Sequence, residues 1–158
     1  MALYILDTTI LSNFSHIRRP DLVKKVLPGA VTTPQVMEEL QEGVESGYVP
    51  KCDWGWLRLI ELTEEEKTLA IRIRRVLQAG EASCIAVALT RGGVFLSDDG
   101  DAREYAHRHG IRVSGTLGIL RKLVEEGYLP LEQADAYLAE MITAGYRAPV
   151  RSLRELSG

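Results

Sequence analysis

Cysteine is scarce in this sequence of 158 residues: Cys52 and Cys84 stand 32 positions apart and form no CxxC pair. Neither a zinc knuckle nor a disulfide framework follows from them, and a reduced, cytoplasmic setting is the natural expectation. Long apolar runs are missing too; none approaches the roughly 18 residues of a membrane span, so no membrane partner is expected. The start, Met1-Ala2-Leu3-Tyr4-Ile5-Leu6-Asp7, lacks a basic region and soon meets an acid, and is not read as a signal peptide. A basic excess is also absent, with 19 Lys plus Arg against 22 Asp plus Glu and a net charge of −3. Nucleic-acid binders usually carry such an excess. Either nucleic acid is not the partner, or a cluster of acids with its own job masks a local basic face. No repeat, low-complexity stretch or Gly/Ser/Pro-rich linker interrupts the chain. With 46% apolar and 26% charged residues, 1–158 read as one globular domain whose last ten or so residues form a loose tail.

Short apolar runs alternate with helical patterns. Leu3–Leu6 reads as a buried strand ending at Asp7, followed by a helix with Ile10, Leu11, Phe14 and Ile17 inward. A helix over Asp21–Leu27 stops at Pro28-Gly29, and Ala30–Thr32 is a brief strand. Thr33-Pro34 opens a helix that ends near Gly43. Trp56–Leu62 alternates as a strand, and Thr63-Glu64-Glu65-Glu66 is a capping box for a helix carrying Leu69, Ile73, Val76 and Leu77. A helix from Gly80-Glu81 to Thr90 is apolar nearly all round and therefore central. Val94–Leu96 is a strand ending at Ser97-Asp98-Asp99; a polar helix, a strand at Ile111–Val113 and helices ending at Gly127 and Gly145 complete the chain. The alternation predicts a three-layer α/β/α sandwich around a mainly parallel sheet.

In such sheets ligands bind beyond the carboxyl ends of the strands. Two strands end on acids there, Asp7 and Asp98, although each can equally cap the helix that follows. In Val36-Met37-Glu38-Glu39-Leu40, the helical phase puts Glu39 on the inward face of Val36 and Leu40 and Glu38 in solvent. Glu81 opens the central helix, where an acid also suits the helix dipole. Asp7, Glu39, Glu81 and Asp98 thus meet in one crevice. So many unpaired carboxylates repel one another, and a hard divalent cation offsets that cost. Oxygen ligands without His or Cys favour Mg²⁺ or Mn²⁺, and such an ion suits water attack on a phosphodiester.

Asp7-Thr8-Thr9, Val36-x-x-Glu39-Leu40, Gly80-Glu81-Ala82-Ser83 and Ser97-Asp98-Asp99 resemble the acidic signature of PIN-domain ribonucleases. The stretch from Gly80 to Gly118, with Asp98-Asp99-x-x-Ala102-Arg103 and Val113-Ser114-Gly115-Thr116-Leu117-Gly118, is similar to the branch related to VapC toxins. The likeness runs over about residues 3 to 145. It implies a PIN-like fold and an endoribonuclease using Mg²⁺ or Mn²⁺, often a homodimer and often held silent by a small antitoxin protein. Asp7 and Asp98 would be the main metal ligands, with Glu39 and Glu81 completing the site, partly through water. Thr9 stands where the family commonly has Asn or Ser. Asp98, Asp99 and Asp101 compete for the last acidic position; Asp98 is preferred as the first after the strand, with Asp99 or Asp101 assisting.

Other residues carry weaker signals. Arg103 suits a phosphate, an acid of the site or a surface salt bridge. Thr116 suits the crevice or, preferably, a helix cap. His107 and His109 are two apart and read as solvated. Arg18-Arg19, Lys24-Lys25 and Arg72, Arg74 and Arg75 are basic clusters that read as solvated helix faces unless they rim the crevice. Trp54 and Trp56 suit base stacking or, preferably, edge packing. Tyr128, Leu129, Tyr137 and Met141 suit a dimer interface or the core. Two rivals to the nuclease stand. Phosphomonoester hydrolysis with Asp7 as nucleophile wants a second Asp two positions on, where Thr9 stands. A catalytically inactive PIN-like module binding RNA or protein keeps the fold without the cutting.

Overall fold

The computed structural model describes residues 2–156. Five strands, β1 (Tyr4–Leu6), β2 (Val31–Thr32), β3 (Arg58–Leu59), β4 (Val94–Leu96) and β5 (Arg112–Ser114), pair in the order β3-β2-β1-β4-β5. Every pairing is parallel, with Ile5 beside both Val31 and Phe95. Around the sheet lie α1 (Thr8–His16), α2 (Pro20–Val26), α3 (Pro34–Glu45), α4 (Glu64–Ile73), α5 (Ala79–Arg91), α6 (Gly100–Arg108), α7 (Thr116–Glu125) and α8 (Leu131–Thr143). This is the expected α/β/α sandwich. β1 and β4 are central strands covered by helices on both faces, so they are apolar throughout; Ile5, Leu6, Val94, Phe95 and Leu96 are all buried. The order of the strands reverses at β1, which opens a crevice between the carboxyl ends of β1 and β4.

Local signals set the helices that frame this crevice. The Thr33 hydroxyl accepts the Val36 N–H at 3.2 Å and Pro34 fills the first turn of α3. Thr63 and Glu66 form the expected reciprocal capping box. In α5, Gly80 and every residue from 82 to 88 are buried, and the helix packs against α3 and α4. The Glu66 side chain, 1% exposed, is held by Arg91, whose Nε and Nη2 donate to its two oxygens at 2.8 Å each, and by the hydroxyl of Thr90.

Several boundaries differ from the sequence expectation. Only Arg58–Leu59 of the predicted 56–62 strand pairs. The segment before it turns instead, with Leu57 N–H on the Trp54 carbonyl, because the indole of Trp54 is drawn into the core and donates to Ser15 Oγ at 2.9 Å. α4 stops at Ile73, since tight turns from Val76 and Leu77 N–H to the Ile73 carbonyl reverse the chain into α5, leaving Val76 exposed rather than inward. α3 runs past Gly43 to Glu45 and is ended by Gly47, at φ +80°. β5 begins one residue late because Ile111 N–H is taken by the Ala106 carbonyl. Leu129 and Met141 belong to the core, whereas Tyr128 is exposed.

The predicted loose tail is anchored as far as the structure describes it. Leu153 is buried in a 3-10 turn over Leu153–Leu156. Asp135 of α8 accepts Ser152 Oγ at 2.9 Å and Leu153 N at 2.7 Å. The rest of that expectation, at 157–158, lies outside the described residues.

Candidate active site

Asp7 follows directly on β1 and is fully buried. Its Oδ1 caps α1, accepting Thr9 N at 3.0 Å and Thr9 Oγ1 at 2.5 Å. Its Oδ2 is buried with no hydrogen-bond partner. Capping therefore engages Oδ1 alone and leaves Oδ2 unpartnered. Thr9 Oγ1 also accepts the Asp98 N–H at 2.8 Å, so one hydroxyl joins the ends of β1 and β4.

Asp98 does not cap α6; Asp99 does, accepting Ala102 N at 2.9 Å. Asp98 instead accepts from Asn13 Nδ2 at 2.8 Å, Thr116 N at 2.9 Å and the Thr116 hydroxyl. Thr116 is not the N-cap of α7, as preferred from sequence. Gly115 occupies that position, which frees the Thr116 hydroxyl to face the crevice. A Cβ at Gly115 would lie 2.5 Å from Asp98 Oδ1 and 2.9 Å from Arg103 Nη1, so only glycine admits both side chains.

Glu39 turns inward from α3 as its phase predicts, while Glu38 is exposed. Its Oε1 accepts Thr8 Oγ1 at 2.8 Å and its Oε2 accepts Gly80 N at 3.1 Å. A Cβ on Gly80 would lie 2.1 Å from Glu39 Oε1, so α5 and this carboxylate meet only through a glycine. Glu81 closes a capping box on Gln78 N at 3.1 Å.

The electrostatics tie these groups together. Burial, reinforced by the charge of Asp98, pushes the Asp7 carboxyl up to about 7, although the nearby Ser97 hydroxyl and the Thr9 hydrogen bonds pull the other way. Burial, with the charges of Asp99 and Asp7, pushes Glu81 up to about 8. Burial raises the Tyr146 phenol well above its usual range, and Asp98 adds to the effect. The charge of Asp98 thus reaches Asp7, and those of Asp99 and Asp7 reach Glu81. As they stand, no three acidic, His or Cys side chains among the described residues converge closely enough to enclose an ion.

Of two expected assistants, Asp101 lies elsewhere and Arg103 has a different task. Asp101 is exposed in the first turn of α6 and lines a surface hollow with Val76, Leu77 and Tyr105, because the helix turns it away from Asp98. Arg103 meets neither acid nor solvent ion pair: its Nη1 donates to the carbonyls of Ser97 at 2.7 Å and Ser114 at 2.9 Å, locking the ends of β4 and β5. Asn13 and Tyr146 were missed from sequence. Asn13 lies four residues after Thr9 on the same face of α1, a usable signal; Tyr146 lies past α8 and carried none.

The donor chemistry fits a hard divalent cation. Asp7, Asp98 and Asp99 offer oxygen ligands there, one of them buried without a partner, and a cation would offset the burial cost and the added repulsion that raise Asp7 and Glu81.

A parallel sheet with acids gathered at its reversal point defines an α/β protein with a carboxylate site. Residues 3–157 match the DUF3368 family, described as a PIN domain, and the chain belongs to this family. PIN domains are usually nucleases. Among solved structures, PAE2754 from Pyrobaculum aerophilum is similar over 69% of this chain and 97% of its own, at 14% identity and a TM-score of 0.47. No curated protein matches the chain. No helix among the described residues is long and apolar enough to cross a membrane.

Proposed function

We propose that this protein is a metal-dependent endoribonuclease that hydrolyses RNA phosphodiester bonds at the crevice between β1 and β4. The observation that carries this reading is the orphaned, buried Oδ2 of Asp7 among neighbouring acids. Asp7, Asp98 and Glu81 would hold Mg²⁺ or Mn²⁺, with Glu39 and Asp99 beside them. When bound, such an ion polarises a phosphoryl oxygen and makes water more acidic.

The chain's own residues prepare the site. Thr9 fixes the spacing of Asp7 and Asp98 by bonding to both. Asn13 and Thr116 orient Asp98. Thr8 and the Gly80 N–H each bond one oxygen of Glu39, which fixes the carboxylate while leaving each oxygen a further lone pair. The acids repel a phosphate until their charge is offset, which makes cutting strictly metal-dependent. Similarity of the Gly80–Gly118 stretch to the VapC branch supports a toxin component that works in the cytoplasm as a homodimer and is restrained by a small antitoxin.

The test is cleavage of labelled single-stranded RNA with Mg²⁺, Mn²⁺ or EDTA, alongside Asp7→Asn and Asp98→Asn. Metal-dependent cutting to 5′-phosphate and 3′-hydroxyl ends, abolished by both substitutions, is expected. A second reading, a module that binds RNA or a protein without cutting, is favoured by the lack of a closed ligand cluster. RNA binding without cleavage under any metal would establish it instead. The toxin role predicts growth arrest on expression of the wild type and none with Asp7→Asn.

A further inference from the structure

Beyond α8 the chain turns at Gly145 and runs back across the mouth of the crevice. Tyr146 N–H is bonded to the Met141 carbonyl at 3.0 Å, and at the far end Ser152 and Leu153 are bonded to Asp135. Residues 146–152 are thus a strap tied to α8 at both ends. Cavities of about 290 Å³ and about 520 Å³ open beside it, and Asp98, Tyr146 and Arg147 line both. The smaller is walled by apolar Val113, Leu117 and Pro149 together with Ser114, at the small end of ligand-site volumes and suited to a single nucleotide.

Two cations line that cavity and differ in what their donors do. Arg103 Nη1 is committed to two carbonyls. Arg147 is exposed, and among the described residues its side chain makes neither a hydrogen bond nor an ion pair, although Asp98 lines the same cavity. An uncommitted guanidinium at the rim of an acidic crevice suits a phosphate. The half-buried ring of Tyr146 beside an apolar wall suits the face of a base.

We propose that the strap is a nucleotide subsite next to the bond to be cut, with Tyr146 stacking on a base and Arg147 contacting its phosphate. This rests on the reading of the protein as an RNA-cutting enzyme and adds how the substrate is positioned.

The experiment measures binding of a fluorescein-labelled single-stranded RNA of mixed sequence in EDTA, and steady-state cleavage of the same RNA with Mn²⁺. Arg147→Ala is expected to raise both Kd and KM about tenfold or more, with kcat much less affected and the melting temperature kept. Arg147→Lys restores part of the loss. Tyr146→Phe, which keeps the ring, raises KM less than Tyr146→Ala does. Arg151→Ala, an exposed arginine of the same strap that lines neither cavity, is the control and changes nothing. Cleavage with unchanged Kd and KM in Arg147→Ala and Tyr146→Ala would overturn the subsite while leaving the nuclease standing. A wild type that binds RNA through Arg147 but never cuts would sink the nuclease and keep the subsite. A wild type that neither binds nor cuts would overturn both.

Discussion

At Asp7 the two carboxylate oxygens meet different surroundings. Oδ1 receives two hydrogen bonds from Thr9, and Oδ2 is buried and receives none. Ionising this group in the metal-free protein is therefore costly. The sign follows from the folded value of about 7 against the ordinary 3.8. The native state holds an extra proton between those values, so stability falls as pH rises from about 4 to 7 and stays low above it. The full penalty is at most about 4 kcal/mol. Asp7→Asn, which keeps the Oδ1 acceptor, is expected to raise the melting temperature of the metal-free protein by several degrees at pH 8 and much less at pH 4.5. Scanning calorimetry of both proteins checks this. Gly80→Ala drives a Cβ against Glu39 and is expected to lower cleavage at least about tenfold by displacing that carboxylate. The assay on RNA reads the loss directly.

The residues that sequence revealed at this scale share a cause. Asp7 and Asp98 stand where apolar strands stop, and Glu39 stands on a helical face otherwise apolar, so local pattern alone places them at the crevice. Asn13 reaches Asp98 across 85 residues of sequence. Thr116 reads as a cap until the fold shows Gly115 in that place. Such long-range partners leave no local trace.

Among the elements, α4 and α5 depend on one buried charge. Glu66 serves first as the capping partner of Thr63 and then as the acceptor for Arg91 and Thr90. The hydrogen bonds from Arg91 hold its carboxyl down to about 2, well below the ordinary 4.5. This contribution is present above pH 4.5 and is lost as pH falls toward 2. Arg91→Ala leaves the charge buried and unpaired and is expected to cost about 3 kcal/mol. Urea unfolding at pH 7 and pH 3 checks it; the loss should be smaller at pH 3, as the orphaned Glu66 takes up a proton. The capping box was legible from Thr63-Glu64-Glu65-Glu66, whereas the partnership with Arg91 was not, because it needs the α4–α5 hairpin to form first. The same hairpin explains the misplaced end of α4: helical spacing continues through Val76, but the chain must turn to reach α5.

For the whole molecule, the sheet order brings together charges that the sequence spreads over its length. The alternating pattern revealed a parallel sandwich, and an all-parallel sheet reversing at β1 fixes where the crevice falls. Net charge hid the site, since −3 averages an acidic mouth over a mixed surface. Asp7 and Glu81 both hold protons into the neutral range, and Glu66 gives its up only in acid. The metal-free protein is accordingly expected to be most stable near pH 4.5 and to weaken toward pH 8. A divalent cation that binds the ionised acids reverses that trend.

The most direct measurement is therefore the melting temperature with Mn²⁺ or EDTA at pH 8 and pH 5, for the wild type and Asp7→Asn. The expected result is stabilisation by Mn²⁺ that is large at pH 8, small at pH 5 and absent at both in Asp7→Asn. Equal stabilisation of the two proteins, or none in the wild type at pH 8, would contradict a metal site built on Asp7.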